Sequence, residues 1–260
     1  MGELTDKVIL VTGATRGIGL GISQVLAREG ARVVVSSIER EQTREVVASL
    51  PGKDAVHLPL YLDVTQAEDR QSAFGAILER YGRLDGLVNN AGIYFGKPFM
   101  DTSAEDWRQV MEMDLDAVYD LCQRAIGLFL EQGGGAIVNI TSVHTLATVA
   151  GAAPYAAAKA AIMMLSRGLA VEFSAKNIRV NCVAPGLVKT EIWKRIVAEF
   201  GQGEQAYLDY WKKNIPIQRI IQPEEIAEVV SFALSDRASA LSGATLYVDG
   251  GMTSQLIATA

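Results

Sequence analysis

Tyr155 and Lys159 stand four residues apart in the run Tyr155-Ala156-Ala157-Ala158-Lys159, a spacing that puts both side chains on one face of a helix. A phenol ordinarily titrates near 10, so a phenol that gives and takes protons around neutral pH needs its anion stabilised, and an ammonium one helical turn away has the right sign. The neighbouring residues, Ala156 to Ala161 and then Ile162 to Leu165, are small or apolar. A lysine in that company belongs to a site or an interface rather than to a solvated face. The pair alone is weak information: with eight tyrosines in the chain, a lysine follows one of them at this spacing by chance in roughly one such sequence in four.

A second candidate lies near the start. In Thr12-Gly13-Ala14-Thr15-Arg16-Gly17-Ile18-Gly19, Gly13 permits a tight turn, and Gly17 and Gly19 let backbone approach backbone. The free N–H groups at the start of the following helix would face an anion such as a pyrophosphate. A turn that needs glycine for local reasons only remains open at this point.

These residues need a scaffold, and the pattern of the chain supplies one. Residues 8–12 are a continuous apolar run, as expected for a strand covered on both faces, and Ile18, Ile22, Val25 and Leu26 then follow helical spacing. The unit recurs. Strands read at 32–35, 56–62, 86–89, 136–141, 178–183 and 245–248, with a charged helix from about Glu39 and another whose stripe is Phe74, Ile77, Leu78 and Tyr81. A later helix starts at Pro223 with Glu224 and Glu225 in its first turn, a good N-terminal signal. Seven strands alternating with helices predict an α/β domain with a seven-stranded parallel sheet and helices on both faces, because parallel neighbours require crossover connections. The aromatic and charged stretch 191–214, which contains Gly201 and Gly203, reads as a lid over a substrate site.

Composition narrows the function. At 260 residues, 49% hydrophobic and 21% charged, the chain suits one large domain, 1–260, with a well-buried sheet. A net charge of −6 without a Lys/Arg cluster offers no footprint for nucleic acid. The first apolar run, preceded by Glu3 and Asp6, is too short for a signal core or a membrane span, so no membrane association and a cytoplasmic location are expected. Cys122 and Cys182 lack metal-ligand spacing and read as small buried hydrophobes; no metal is expected.

Taken in order, Thr12-Gly13-x-x-x-Gly17-x-Gly19, Asn89-Asn90-Ala91-Gly92 after a strand, Ser142 thirteen residues before Tyr155, the Tyr155/Lys159 pair, and Pro185-Gly186 after another strand resemble the short-chain dehydrogenase/reductase family. The likeness runs through Val248-Asp249-Gly250-Gly251 and so covers essentially the whole chain. It implies a Rossmann-like fold and an NAD(P)-dependent oxidoreductase that moves a hydride between nicotinamide and a carbonyl or secondary alcohol. It also implies that Ser142 hydrogen-bonds the substrate oxygen, that Tyr155 is the acid/base, and that Lys159 holds the nicotinamide ribose while stabilising the phenolate. Cofactor contacts implied in the same way are Gly13, Arg16, Gly17, Ile18 and Gly19 of the turn, Ser37 at the ribose, Asp63 and Val64 at the adenine, Asn90, Ala91 and Gly92 along the cofactor, and Pro185, Gly186, Val188 and Thr190 at the carboxamide. Singly, Asn89 and Asn90 could be loop caps, Asp63 a strand-end turn and Pro185-Gly186 a plain turn.

One position departs from the family pattern. Where many members carry an asparagine that helps to hold a water leading to the lysine, this chain has Asp114; a direct catalytic part and a purely structural one are both open. The end of the second strand carries Ser36-Ser37 in place of the carboxylate usual for NAD, and Arg16 with Arg40 supplies positive charge nearby, which favours NADP(H) while leaving NAD(H) possible. Expected pocket residues are Tyr94, Phe95, His144 and Trp193, with Tyr207, Tyr210 and Trp211 from the lid, a mixed lining that does not name a substrate. Kinship implies a homotetramer, to which apolar surfaces near 117–130 and 156–173 are suited. Two other classes stay open: a nicotinamide-binding sensor without turnover, and a nucleotide-sugar isomerase or dehydratase that keeps its cofactor bound.

Overall fold

Successive residues of a strand point to opposite faces of a sheet, so a strand that is apolar throughout must be covered on both sides. That is what the chain builds. The computed structural model describes residues 2–52, 56–191, 197 and 201–256. Its sheet has seven strands, β1 (Val8–Thr12), β2 (Arg32–Ser37), β3 (Leu58–Tyr61), β4 (Gly86–Asn89), β5 (Gly135–Ile140), β6 (Ile178–Pro185) and β7 (Thr245–Val248). They lie in the order β3-β2-β1-β4-β5-β6-β7, and every pairing is parallel.

Along β1, Ile9 and Val11 join Val33 and Val35 of β2 in a core shared with helices α1 (Gly17–Arg28), α2 (Arg40–Ser49) and α8 (Pro223–Leu234). Val8 and Leu10 point the other way, into a core formed with α3 (Ala67–Tyr81), α5 (Ala117–Gln132) and α6 (Ala153–Phe173). Two further helices are α4 (Ala104–Met111) and α7 (Gly203–Asn214). The fold is thus a three-layer Rossmann-like sandwich. Among the described residues, no helix is long and apolar enough to cross a membrane.

The structure moves some strand ends. β2 runs on to Ser37, whose partner is Tyr61, and β6 runs on to Pro185, opposite Val248. β3 is shorter than the expected 56–62, because the Val33 N–H is taken by the Nδ1 atom of buried His57 at 3.1 Å instead of by a backbone carbonyl. In α3 the buried residues are Ala73, Phe74 and Ile77, whereas Leu78 of the expected stripe is 38% exposed: the helix covers the edge of the sheet and buries a narrower face than its sequence offers.

A chain of polar side chains crosses the second core. Asn89 Nδ2 on β4 donates to Asn139 Oδ1 on β5 at 2.8 Å, and Asn139 Nδ2 donates to Ser166 Oγ on α6 at 2.8 Å. Ser166 donates to the Ile162 carbonyl at 2.8 Å and accepts from Cys182 Sγ on β6 at 3.1 Å. Cys122 and Cys182 are free and buried, and burial pushes their thiols up to about 12 and about 11, so both are inert members of this network rather than nucleophiles.

The network ties α6 to the middle of the sheet, and buried polar groups stripped of partners cost roughly 1–3 kcal/mol each. Asn139→Ala leaves Asn89 Nδ2 and Ser166 Oγ short of a partner and should cost about 2–4 kcal/mol, read as a fall in Tm of several degrees by calorimetry. An unchanged Tm would show that the network does not fasten the helix.

Candidate active site

The strands all end at one edge of the sheet, and the loops that leave them carry the residues singled out above. β1 ends at Thr12, whose Oγ1 accepts from the N–H groups of Asn90 and Ala91, each at 3.0 Å. Asn90 Nδ2 donates in return to the carbonyls of Thr12 and Gly13 at 2.9 and 3.1 Å. The glycine turn and the loop after β4 are therefore one rigid unit. Gly13 and Gly17 have φ of 60° and 53°, the left-handed region that glycine enters without strain. A Cβ on Gly19 would lie 2.1 Å from the Gly13 carbonyl oxygen, so only glycine fits where the helix start crosses the turn.

Helix α1 begins with no side-chain cap at Arg16 and no acid in its first turn. Its leading N–H groups and the positive end of its dipole are left to an anion, the arrangement a pyrophosphate requires. The loop after β6 closes on the same place: a Cβ on Gly17 would meet Thr190 Cγ2 at 3.2 Å. Val188 is buried and bridges to Ile221, while the Gly186 N–H donates to the Val248 carbonyl at 3.0 Å. The donor set and the space suit a dinucleotide.

Among the residues expected to meet the adenosine, the geometry is divided. Asp63 Oδ1 accepts from Thr65 N and Oγ1 at 3.0 and 2.7 Å, a strand-end turn, and the Val64 side chain is buried in the second core. Ser37, also buried, accepts at Oγ from Thr15 Oγ1 and from the Glu39 N–H, both at 3.2 Å. Glu39 then returns its carboxylate to the glycine turn, 3.4 Å from Thr15 Oγ1 and 3.4 Å from Arg16 Nη1. The sequence reading weighed Ser37 and Arg16 and passed over Glu39. It is the first acid beyond β2, two residues past Ser37.

Ser142 leaves β5 and is buried, its Oγ accepting from the His144 N–H at 3.3 Å. Tyr155 and Lys159 lie on α6, with Lys159 Nζ 5.5 Å from the centre of the Tyr155 ring. Two further rings stand edge-on to that phenol, Tyr94 at 5.4 Å and His144 at 5.3 Å between centroids. His144 hydrogen-bonds Thr148 Oγ1 through Nδ1 at 2.7 Å, and burial lowers its pKa, which favours the neutral imidazole.

Behind Lys159 stands Asp114, completely buried in a single π-helical turn, Glu112–Asp116, inserted between α4 and α5. Its Oδ1 accepts from the Ile93 N–H at 2.9 Å, and its Oδ2 lies 3.6 Å from Lys159 Nζ. That is an ion pair too long for a hydrogen bond, so Oδ2 has no hydrogen-bond donor among the described residues. Burial raises the carboxyl above its ordinary range, while the Lys159 ammonium and the Ile93 N–H draw it partway back.

Of the lid, α7 is described and Trp193 lies outside the described residues. Tyr207 is buried in a small apolar cluster with Ile215 and Ile220, against which Trp211 packs. Its phenol is raised by burial, offset by Trp211 and raised further by the hydroxyls of Tyr94 and Tyr210, and its ring stands edge-on to Trp211 at 6.2 Å between centroids. Tyr210 is 53% exposed.

A family model described as enoyl-(acyl carrier protein) reductase matches residues 13–253. The chain is 36% identical over 250 residues to 3-oxoacyl-(acyl-carrier-protein) reductase FabG of Chlamydia muridarum, covering 96% of this chain and 98% of that one. It is 38% identical over 253 residues to cyclopentanol dehydrogenase of Comamonas testosteroni, covering 97% and 99%. Among solved structures, an actinorhodin polyketide ketoreductase with NADPH aligns with a TM-score of 0.90 at 33% identity, covering 96% of this chain and 98% of that one.

The Asp114–Lys159 pair is crowded by Gly92, where a Cβ would lie 2.7 Å from Asp114 Oδ1 and 3.2 Å from Lys159 Nζ. Gly92→Ala should push that pair apart and lower kcat about tenfold to a hundredfold, a displacement of about 1 Å being enough. Its circular dichroism spectrum should match that of the unaltered protein. Unchanged kcat would mean that the pair tolerates displacement.

Proposed function

The chain belongs to the short-chain dehydrogenase/reductase family and is an oxidoreductase of that family, and on that premise we propose that it reduces a carbonyl, or oxidises the corresponding secondary alcohol, with Tyr155 as the acid/base. The observation that carries this reading is the line Tyr155, Lys159, Asp114: a half-buried phenol, an ammonium 5.5 Å from its ring and a buried carboxylate 3.6 Å behind that ammonium. It opens at the carboxyl ends of the strands, where a parallel sheet places its ligand crevice.

A nicotinamide dinucleotide bound along the glycine turn supplies the hydride in reduction and accepts it in oxidation. It would be held by the turn 13–19, by Ser37, by Asn90, Ala91 and Gly92, and by the loop from Pro185 to Thr190. Asp63 and Val64 reach the adenine through backbone, since the side chain of one is engaged by Thr65 and that of the other is buried. Ser142 donates its hydroxyl to the substrate oxygen and fixes the carbonyl plane. As the carbonyl carbon gains hydride, the oxygen gains the Tyr155 proton, leaving a phenolate beside the Lys159 ammonium. Reversal takes the alcohol proton onto the same phenolate. Such general acid–base assistance is worth about 10²–10⁴ in rate.

Tyr94 and His144, packed edge-on against Tyr155, shape the place where the substrate sits, with Trp193 and the α7 aromatics assigned to its outer wall. Two copies would meet through the faces of α5 and α6, where Tyr119, Leu130, Met164 and Val171 are exposed, and the assembly is proposed as a homotetramer.

Tyr155→Phe tests the acid/base directly. With a panel of ketones and secondary alcohols followed by nicotinamide absorbance, turnover should fall by about two orders of magnitude or more while cofactor affinity stays within about threefold. Near-normal turnover in that variant removes Tyr155 from the chemistry.

Asp114 is assigned as a positioning residue that holds Lys159. Its negative charge offsets the ammonium, so Asp114→Asn leaves more positive potential at the phenolate. The rising limb of the pH profile for alcohol oxidation should move to lower pH with kcat kept or raised. Asp114→Ala should lower kcat without changing cofactor affinity. A pH profile unmoved in both variants would reduce Asp114 to a structural role.

A further inference from the structure

We propose that Glu39 chooses between the two nicotinamide dinucleotides, and that it selects NAD(H) over NADP(H). The inference rests on the oxidoreductase reading above and concerns the adenosine ribose, the place where the two cofactors differ by one phosphate.

In a sheet of this topology that ribose lies between the glycine turn after β1 and the end of β2, and a carboxylate there accepts from the 2′-hydroxyl. The last residues of β2, Ser36 and Ser37, provide none. The structure brings one in from two residues beyond. The Glu39 N–H is anchored on Ser37 Oγ at 3.2 Å, and its carboxylate reaches back to Thr15 Oγ1 and Arg16 Nη1, each at 3.4 Å. Glu39 therefore sets a carboxylate at the junction of β2 and the glycine turn, against two residues of the turn itself.

The same contacts change the meaning of Arg16. Taken alone, an arginine before Gly17 is a ready partner for a 2′-phosphate. Here its charge is already answered by Glu39. The other nearby cation is also engaged, with the Arg40 guanidinium stacked 4.0 Å above the Tyr61 ring. A dianionic phosphate entering this corner must draw Arg16 away from Glu39 and then lie beside the bared carboxylate. The Arg16 and Glu39 side chains are 61% and 31% exposed, so separating them is easy, as exposed pairs contribute little. What persists is the repulsion, since Glu39 remains tethered through Thr15 and Ser37. A 2′-hydroxyl meets no such penalty and can donate to Glu39 without disturbing Arg16. Like charges a few ångströms apart near a surface cost about tenfold to a hundredfold in affinity before salt screening.

The test is isothermal titration of the full chain with NAD⁺ and with NADP⁺, for the unaltered protein, Glu39→Gln, Arg16→Ala and the double variant. The unaltered protein should bind NAD⁺ about tenfold more tightly than NADP⁺. Glu39→Gln should reverse the order, tightening NADP⁺ about tenfold or more and weakening NAD⁺ a few fold. Arg16→Ala should leave NADP⁺ within about threefold in the presence of Glu39, yet remove most of the gain when added to Glu39→Gln, because the arginine is free for the phosphate only there. An unaltered protein that prefers NADP⁺, or a Glu39→Gln variant whose affinity ratio stays within about twofold, overturns the proposal and leaves the oxidoreductase reading standing. Failure of the unaltered protein to bind either dinucleotide overturns both.

Discussion

Parallel strand pairing is the constraint from which the rest of this molecule follows. Seven strands pointing one way deliver all their carboxyl ends to one edge of the sheet, and each must there turn into a crossover before the chain can return. The glycine turn, Glu39, Asn90 to Gly92, Ser142 and Pro185 to Thr190 are far apart in sequence and share that edge only because of this directionality. The same pairing leaves both faces to be covered. Every residue of β1 is buried, and alternate residues belong to different cores.

Inside that apolar frame the chain keeps a few polar groups, and these do the positioning. The Thr12 hydroxyl and the Asn90 amide hold the glycine turn and the loop after β4 to each other, while Asn89, Asn139 and Ser166 hold α6 to the sheet. A hydrogen bond adds only about 1 kcal/mol when made, but a buried group left unpaired loses its full solvation. Such groups therefore specify a single arrangement more strongly than they stabilise it. The Asp114–Lys159 pair follows the same logic with charge. Removing either ion from so dry a place would strand the other, so the carboxylate fixes where the ammonium stands beneath the phenol.

The substrate side is built differently. At Tyr155 edge-on aromatic rings meet from three segments, Tyr94 after β4, His144 after β5 and Tyr155 itself on α6. Ring edges impose shape without demanding a particular donor or acceptor.

The sequence by itself determined the alternation of strands and helices, the layering of the fold and which residues are candidates for the site. Each of these is written in local terms: continuous apolar runs for doubly covered strands, three glycines at a strand–helix turn, a tyrosine and a lysine one helical turn apart. Strand ends were less legible, because a ladder stops where a partner is lost, as at His57, whose ring replaces a backbone carbonyl. Tertiary structure alone decided the charges. Asp114 read as a near-isosteric replacement until its burial and its 3.6 Å approach to Lys159 were seen. Arg16 stands in the sequence without an acidic neighbour, and folding sets Glu39, 23 residues on, 3.4 Å from it. What a charged side chain does depends on the opposite charge that folding brings beside it and on how much water the fold removes, and neither quantity is encoded near the residue itself.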